Sequence, residues 1–346
     1  MKCRGKLKTG WPEKAARVGD LVVPAQLHPA VLTWAGKRRQ ADTWAVAFSG
    51  GADSLALLLI LWAHWPARRG QLVALHFNHR MRGRESTADE NFCRKVCAAL
   101  GVRLRVGRWP GMHRTASEAE ARVARHGFFA REMKKSRSRA LWLAHQQDDI
   151  AESMLMRLAR GAGTAGLAAP RPVQSMEGGR THLRPLLTLK KSALLAVLGE
   201  VGAIWREDSS NARGDHFRNR VRHDVLPAWG RAAGRDALAG AALSREFLDE
   251  DDRALEAWVE ALEPVGRDRR LNVEILSGRP RAIARRALHR WLLAVQPETD
   301  LSRQGFEVLL AAVERGKPTR FSLGRKGFAV LKQGKLTFKI NQERYE

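Results

Sequence analysis

The segment Ser49-Gly50-Gly51-Ala52-Asp53-Ser54 constrains the fold more than any other, because it joins two kinds of hydrophobic pattern. Before it stands Thr43–Phe48, an apolar run of strand length. After it, from Asp53 to about Trp65, runs an apolar stretch of helix length. A strand that enters a helix through two adjacent glycines leaves backbone N–H groups bare at the helix N-terminus, where the dipole and the unpaired donors favour an anion. The same order then repeats. Gln71–Phe77, Val102–Val106 and Ala140–Ala144 read as strands, and helices are expected over about Thr87 to Leu100, Ser117 to Lys135 and Asp148 to Arg160. Ser86 and Asp89 have capping-box spacing, Ser117 is a candidate N-cap, and Gly161 a helix stop. Alternation at this spacing builds a parallel sheet, whose ligands sit beyond the carboxyl ends of the strands.

The loop lacks the lysine of the G-x-x-x-x-G-K-[ST] nucleotide motif and the spacing of the dinucleotide G-x-G-x-x-G motif. An ordinary glycine-rich turn is the plain alternative. Against it stand the Ser49 and Ser54 hydroxyls, which can donate to phosphate oxygens, and the Asp53 carboxylate in the same turn.

Charge narrows the partner. Lys and Arg number 61 against 36 Asp and Glu, a formal net charge of +25. Such an excess repels itself unless a polyanion or counterions screen it, so nucleic acid leads and an anionic membrane surface follows. The longest apolar run, Leu55–Trp62, is too short to span a bilayer, and no apolar stretch follows Lys2, Arg4, Lys6 and Lys8 as a secretory signal requires. Cys93 and Cys97 share a helix face as small hydrophobes, and with Cys3 they form no C-x-x-C pair. A cytoplasmic setting fits.

Further motifs follow in order. Leu75–Arg82 places His76 and His79 at the end of the second strand; two histidines three apart are a weak zinc signal, and a nucleotide-pocket or structural role is expected. Glu118, Arg122 and Arg125 fall at i, i+4 and i+7 on one helix face, the pattern of a solvated salt-bridge face as much as of a site. In His145–Ser153, Asp148 and Glu152 are i and i+4 at a helix start directly after the fourth strand; capping accounts for Asp148 or Asp149, but less well for Glu152. Arg184-Pro185-Leu186-Leu187 with Lys190 or Lys191, Trp205–Asn211, and Phe217–Arg222 with Arg218, Arg220 and Arg222 complete the series.

Ser-Gly-Gly-x-Asp-Ser resembles the fingerprint of the PP-loop ATP pyrophosphatases, and the ordered motifs that follow resemble the tRNA(Ile)-lysidine synthetases in their short form, strongly over 43–226 and loosely over 227–340. Ala144, Ile150 and Ser153 depart from the family's usual glycine, glutamine and threonine. The resemblance implies an α/β fold: a parallel-sheet, adenine nucleotide alpha hydrolase-like (PP-loop) domain followed by a smaller, mainly helical domain. It implies that the wobble cytidine of tRNA(Ile) with a CAU anticodon is adenylated at its C2 oxygen by ATP, with Mg2+, and that free L-lysine then displaces AMP. Ser49, Gly50, Gly51, Ala52, Asp53, Ser54 and His76 would bind ATP. Asp53, Arg122, Asp148 and Glu152 would be catalytic, with Asp148 and Glu152 also binding the lysine ammonium. Arg218, Arg220 and Arg222 would meet tRNA.

Residues 1–40 read as a basic extension, 41–226 as the ATP-binding domain, and 227–346 as a mainly helical tRNA-binding domain whose tail, Thr319–Ile340, forms short antiparallel strands. Helices are expected over 229–263, Pro280–Val295 and about Ser302–Arg315. Arg281, Arg285 and Arg286 in the second are candidate phosphate contacts, opposite a buried side of Ile283, Ala287, Trp291 and Val295. Three rivals stand beside lysidine synthesis. One is tRNA thiolation, which wants well-placed reactive cysteines. Another is a PP-loop amide synthetase for a small metabolite, and the third a non-catalytic RNA-binding protein.

Overall fold

Residues 10–81, 83–110, 118–207, 217–296 and 301–341 are described by a computed structural model of the chain. Ser117, Arg82 and the Asp208–Asn211 part of the tryptophan motif lie outside them. The expected alternation is present. Strand β1 (Trp44–Ala47) leads through the glycine turn into helix α3 (Ala52–His64). Then come β2 (Leu72–Asn78), α4 (Arg84–Leu100), β3 (Arg103–Arg108), α5 (Glu118–Lys135), β4 (Ala140–Trp142) and α6 (Gln147–Leu158). The sheet order is β3-β2-β1-β4-β6-β5, where β5 is Val173–Met176 and β6 is Arg180–Leu183. All neighbours run parallel except β5 and β6. The chain leaves β1 toward β2 and returns to β4 on its other side, so a crevice opens between the carboxyl ends of β1 and β4.

Side chains alternate across the sheet as period two demands. Trp44, Val46, Leu72, Ala74 and Trp142 enter one core with α3 and α4, while Ala45, Val73, Leu75 and Leu141 enter another with Phe128, Phe129 and Met133 of α5. Helix α4 begins before Ser86, so Ser86 and Asp89 lie within it and form no capping box.

Residues 10–36 are not an extension. Helices α1 (Trp11–Leu21) and α2 (Pro29–Gly36) join the main core through Ala15, Val18, Val22, Leu27, Val31 and Ala35. The cause lies in α3, whose Leu55–Trp62 run is buried on every side. A helix apolar all round needs cover beyond the sheet, and α1 supplies it. Gly19 permits the approach: a Cβ there would lie 2.7 Å from the Ala63 Cβ.

The chain divides into two compact units, Met1–Phe247 and Leu248–Glu346, rather than near residue 226. Helix α7 (Thr164–Leu167), helix α8 (Lys191–Glu200), the short α9 (Phe217–Arg220) and α10 (Leu226–Ala233) fall in the first unit, with the start of α11 (Ala237–Leu262). An ion pair from Lys190 to Asp236 and a hydrogen bond between His28 Nε2 and Glu246 (2.8 Å) hold the later elements to the first unit. The second unit packs α12 (Arg281–Val295) and α13 (Arg303–Arg315) in one core with an antiparallel sheet, ordered β7-β10-β9-β8. Its strands are Leu271–Asn272 (β7), Thr319–Ser322 (β8), Gly327–Lys332 (β9) and Lys335–Ile340 (β10). Among the described residues no helix is long and apolar enough to cross a membrane.

The close approach of α1 to α3 gives a stability prediction. Gly19→Val should lower the unfolding free energy by about 1–3 kcal/mol, the usual cost of overpacking. The denaturant midpoint measures it, and an unchanged midpoint would mean that α1 does not pack on α3 in solution.

Candidate active site

The glycine turn is wound tightly by its own hydroxyls. Ser54 Oγ accepts from the Ser49 N–H at 3.2 Å, donates to the Gly51 carbonyl at 3.0 Å, and lies 3.0 Å from Ser49 Oγ. Gly50 has φ +91°, which L side chains rarely adopt, and a Cβ there would press on Cys93 Sγ and Phe92 at 3.2 Å. Gly51 caps α3 in extended conformation. Arg206 closes over the turn: its N–H donates to the Gly50 carbonyl at 2.9 Å and its Nε to Asp89 at 2.7 Å. Sequence reasoning passed over Arg206 because both its partners are more than a hundred residues away.

His76 is buried beneath the turn, with Nδ1 3.0 Å from the Phe48 carbonyl. Burial holds its pKa below the usual imidazole range, so Nδ1–H donates and Nε2 is an acceptor. Nε2 is buried and has no hydrogen-bond partner among the described residues. Asn78 in the same motif serves structure, donating to Glu90 (3.1 Å) and to the Ser86 carbonyl.

Asp53, in the first turn of α3, has a buried Oδ1 without a hydrogen-bond partner among the described residues. Burial raises its pKa to about 6, and Asp149 and Asp148 add to that, against Lys191 and Arg222. Asp53 therefore faces the start of α6 across the crevice. A lone buried carboxylate oxygen beside a phosphate loop suits Mg2+, a hard cation held by one or two carboxylates and by phosphate.

Helix α6 opens with a cap. Gln146 Oε1 accepts from the Asp148 N–H at 2.6 Å, and Asp149 accepts from the Gln146 N–H at 3.0 Å. Capping thus accounts for Asp149, and Asp148 is left to accept from the Lys191 N–H at 3.0 Å. Glu152 is fully buried. It accepts from Arg218 Nε at 2.7 Å and from Arg222 Nε and Nη2 at 2.5 and 3.0 Å, while Arg218 also reaches Asp149 at 2.7 Å. Arg218 and Arg222, expected to face tRNA, are engaged with these carboxylates, and Glu152, expected to face an ammonium, is engaged with two guanidinium groups. Arg222 lies in a wide π-type turn, Val221–Val225, that follows α9. Arg220 is exposed, its guanidinium 5.9 Å from the Phe217 ring.

Across the crevice the charge is reversed. Arg184, buried at the end of β6, donates to His145 Nδ1 (3.2 Å) and to the Arg171 carbonyl (2.7 Å). Burial, then the repulsion of Arg122 and Arg157, lowers its pKa to about 10. His126 and His182 stack with centroids 6.0 Å apart, and burial with the neighbouring guanidinium groups holds both near 4. Arg122 is exposed on α5, and its charge acts on His126, His182 and Arg184. Crowded cations beside neutral imidazoles suit an anion.

The second-unit arginines are placed differently from expectation. Arg286 is largely buried against Asp252 (2.7 Å) and Glu256 (2.5 Å), and Arg290 also holds Glu256 (2.6 Å). Arg281 pairs with Glu307 (3.0 Å) and Glu314, and Arg285 with Glu307 (3.4 Å). Helix α12 forms salt bridges with both neighbouring helices.

Comparison with known proteins agrees with this geometry. A PP-loop domain model matches residues 25–229. The tRNA(Ile)-lysidine synthase of Rhodopirellula baltica is 35% identical over 68% of this chain and 66% of its own length. That of Geobacter sulfurreducens is 36% identical over 79% and 59%. The chain thus spans about three-fifths of the length of the curated relatives it matches. Among solved structures, the U34-tRNA thiolase of Methanococcus maripaludis aligns with a TM-score of 0.53 at 16% identity, over 68% of this chain and 78% of that one, a likeness of fold alone. With more than half of its length matched by the domain model, the chain belongs to the PP-loop family.

Proposed function

We propose that this protein is a tRNA(Ile)-lysidine synthetase: it uses ATP to adenylate the C2 oxygen of the wobble cytidine in a CAU anticodon and then joins lysine to C2. The observation that carries the proposal is the tightly wound Ser49–Ser54 turn, whose buried Asp53 carboxyl is near enough to the start of α6 for the charges of Asp149 and Asp148 to act on it. The similarity to lysidine synthases supports the substrate assignment. A cytoplasmic setting follows from the same proposal.

Each half of the crevice has its own role. The turn N–H groups and the Ser49 hydroxyl hold ATP phosphates, and Gly50 keeps the backbone free to approach them. Asp53 would hold Mg2+, which when bound neutralises phosphate charge. His76, with Nδ1 committed to Phe48, offers Nε2 as an acceptor at the base of the nucleotide site. In the first step the cytidine C2 oxygen bonds to the α-phosphorus, and the bond to the β-phosphate oxygen breaks, releasing pyrophosphate. Arg122 would neutralise charge developing on the transferred group. In the second, the lysine ε-amine bonds to C2 and the C2–O bond breaks, releasing AMP. The ammonium must lose a proton first. Asp148 is the carboxylate of this cluster placed to bind it, while Glu152 acts one layer deeper, through the guanidinium groups it orients. Arg220 remains a proposed tRNA contact.

Thiolation is the second reading. Cys93 and Cys97 are both buried, and burial pushes the Cys93 thiol up and the Cys97 thiol to about 12, so neither offers a reactive thiolate. Cys3 lies outside the described residues.

Incubation with ATP, radiolabelled lysine and a CAU-anticodon tRNA transcript tests the proposal; label must enter the tRNA only when ATP is present, and no incorporation would refute it. Two variants then separate the carboxylates. Asp148→Asn should raise the lysine requirement tenfold or more, a loss of about 1.4 kcal/mol. Glu152→Gln should instead lower stability by about 3–5 kcal/mol, because it leaves two guanidinium groups without their buried partner. Equal melting behaviour of Glu152→Gln and wild type would return Glu152 to the substrate site.

Asp53 gives a pH prediction. Its carboxyl is raised from 3.8 to about 6, so the folded protein holds that proton more tightly than the unfolded chain. Stability of the ligand-free protein should therefore fall as pH rises across that window and level off above it. Mg2+–ATP binding, which needs the ionised form, should weaken as pH falls through about 6. Asp53→Asn should bind Mg2+–ATP weakly at every pH. A wild-type profile in this variant would remove Asp53 from the metal site.

A further inference from the structure

The cations of α12 are spent on acids of their own unit, but those of the C-terminal sheet are not. The registers Arg320↔Val330, Val330↔Thr337, Lys332↔Lys335 and Phe328↔Lys339 place these residues on one face of β8, β9 and β10. Ala329, Leu331 and Leu336 point the other way, into the core. The three strands contain no acidic residue. Lys332, Lys335 and Lys339 are exposed and make no ion pair among the described residues. The Arg320 guanidinium lies 4.1 Å from the centroid of the Phe328 ring. The lysines and Thr337 border a cavity of about 830 Å³, closed on another side by the turn carrying Arg269 and Arg270. That turn is fixed from inside, since Trp291 Nε1 donates to the Arg269 carbonyl at 3.0 Å. Its one acid, Asp268, is matched by Arg270 at 3.4 Å.

We propose that the outer face of β8–β10, with the Arg269–Arg270 turn, is an RNA-docking surface whose occupant is the sugar-phosphate backbone of the tRNA. The proposal rests on the assignment of tRNA as substrate and moves the docking site from α12 to the sheet. Charge complementarity supports it: several fixed cations and a single, already paired carboxylate face one cavity. Strand geometry supports it too. Lys335 and Lys339 are four residues apart on a strand, about 14 Å at 3.4 Å per residue. They stand on rigid ladders, so binding has little to order beyond the lysine stems. A half-buried aromatic among the cations matches the combination of charge and ring surface that RNA grooves use. An anionic bilayer is flat and rewards projecting apolar side chains, whereas these cations surround a concavity.

The test uses the full chain and a CAU-anticodon transcript. In the triple variant Lys332→Gln, Lys335→Gln, Lys339→Gln, tRNA affinity at low salt should fall about tenfold or more. The slope of log affinity against log salt should become shallower by about 2 to 3, at about 0.7–0.9 for each phosphate that a lysine no longer neutralises. Lys339→Gln alone should produce about a third of that change. ATP binding should be unchanged in both, and Arg281→Gln with Arg285→Gln should alter the slope less than the triple variant does. Wild-type affinity and slope in the triple variant would overturn the surface. So would a variant that loses only its binding to phosphatidylglycerol vesicles, which would assign the face to a membrane. If the wild type binds no tRNA at any salt, the substrate reading falls and this proposal with it. If wild type and triple variant bind and modify tRNA alike, only the docking surface falls.

Discussion

The site is organised around a carboxylate with no exposure to water. Removing Glu152 from solvent costs several kcal/mol, and attraction to one partner does not reliably offset it. Here two guanidinium groups supply three hydrogen bonds at 2.5–3.0 Å. The cluster is long-range: Arg218 and Arg222 come from a segment some seventy residues beyond α6. It therefore joins the start of α6 to the α9 region and fixes the wall of the crevice opposite the phosphate loop. Among the described residues Glu152 and Asp149 are satisfied by arginine and Asp148 by a single backbone N–H, which is why the proposed reaction gives Asp148 to the substrate.

The crevice separates charge in a way that suits two unlike ligands. Asp53 and Asp148 put carboxylates on the two facing walls, Arg122 and Arg184 add cations whose charges act on one another, and His126 and His182 beside them stay neutral. In the proposed reaction the carboxylates would draw an ammonium and a metal ion, and the turn N–H groups with the arginines would draw phosphate. Their juxtaposition matters for the proposed reaction, in which a nucleophilic amine has to reach an atom still attached to a phosphate. Neutral His126 and His182 also lessen repulsion among the arginines, since two more charges there would make the cluster harder to assemble before its anion arrives.

The parts legible in the sequence were those written in local pattern. A strand, two glycines and a helix can be read because periodicity and positive φ are local properties, and Gly50 does adopt φ +91°. Residues 10–36 were misjudged because the need for α1 and α2 is created elsewhere, by a helix apolar on all sides. Strands β5 and β6 are four residues each, too short for a period to show. The domain boundary moved for a similar reason: Lys190–Asp236 and His28–Glu246 tie distant segments through side chains that carry no local signature. Arginine is the hardest residue to read. Arg222 and Arg286 look alike in sequence, yet one orients a buried carboxylate beside the crevice and the other bridges two helices.

Net charge is equally ambiguous until it is placed. An excess of +25 says that cations outnumber acids, but not which cations remain available. In the second unit, acids on α11 and α13 meet the α12 arginines, so a dense run of basic residues adds little outward field. The strands carry fewer cations in sequence, but their alternation puts the cations on one face and the apolar residues on the other, and no acid intervenes. A polyanion responds to the potential that remains after internal pairing, and that potential concentrates where the backbone period separates lysine from leucine. In this protein the two-residue period of short strands therefore marks where cations remain exposed among the described residues, which the count of arginines on a helix does not.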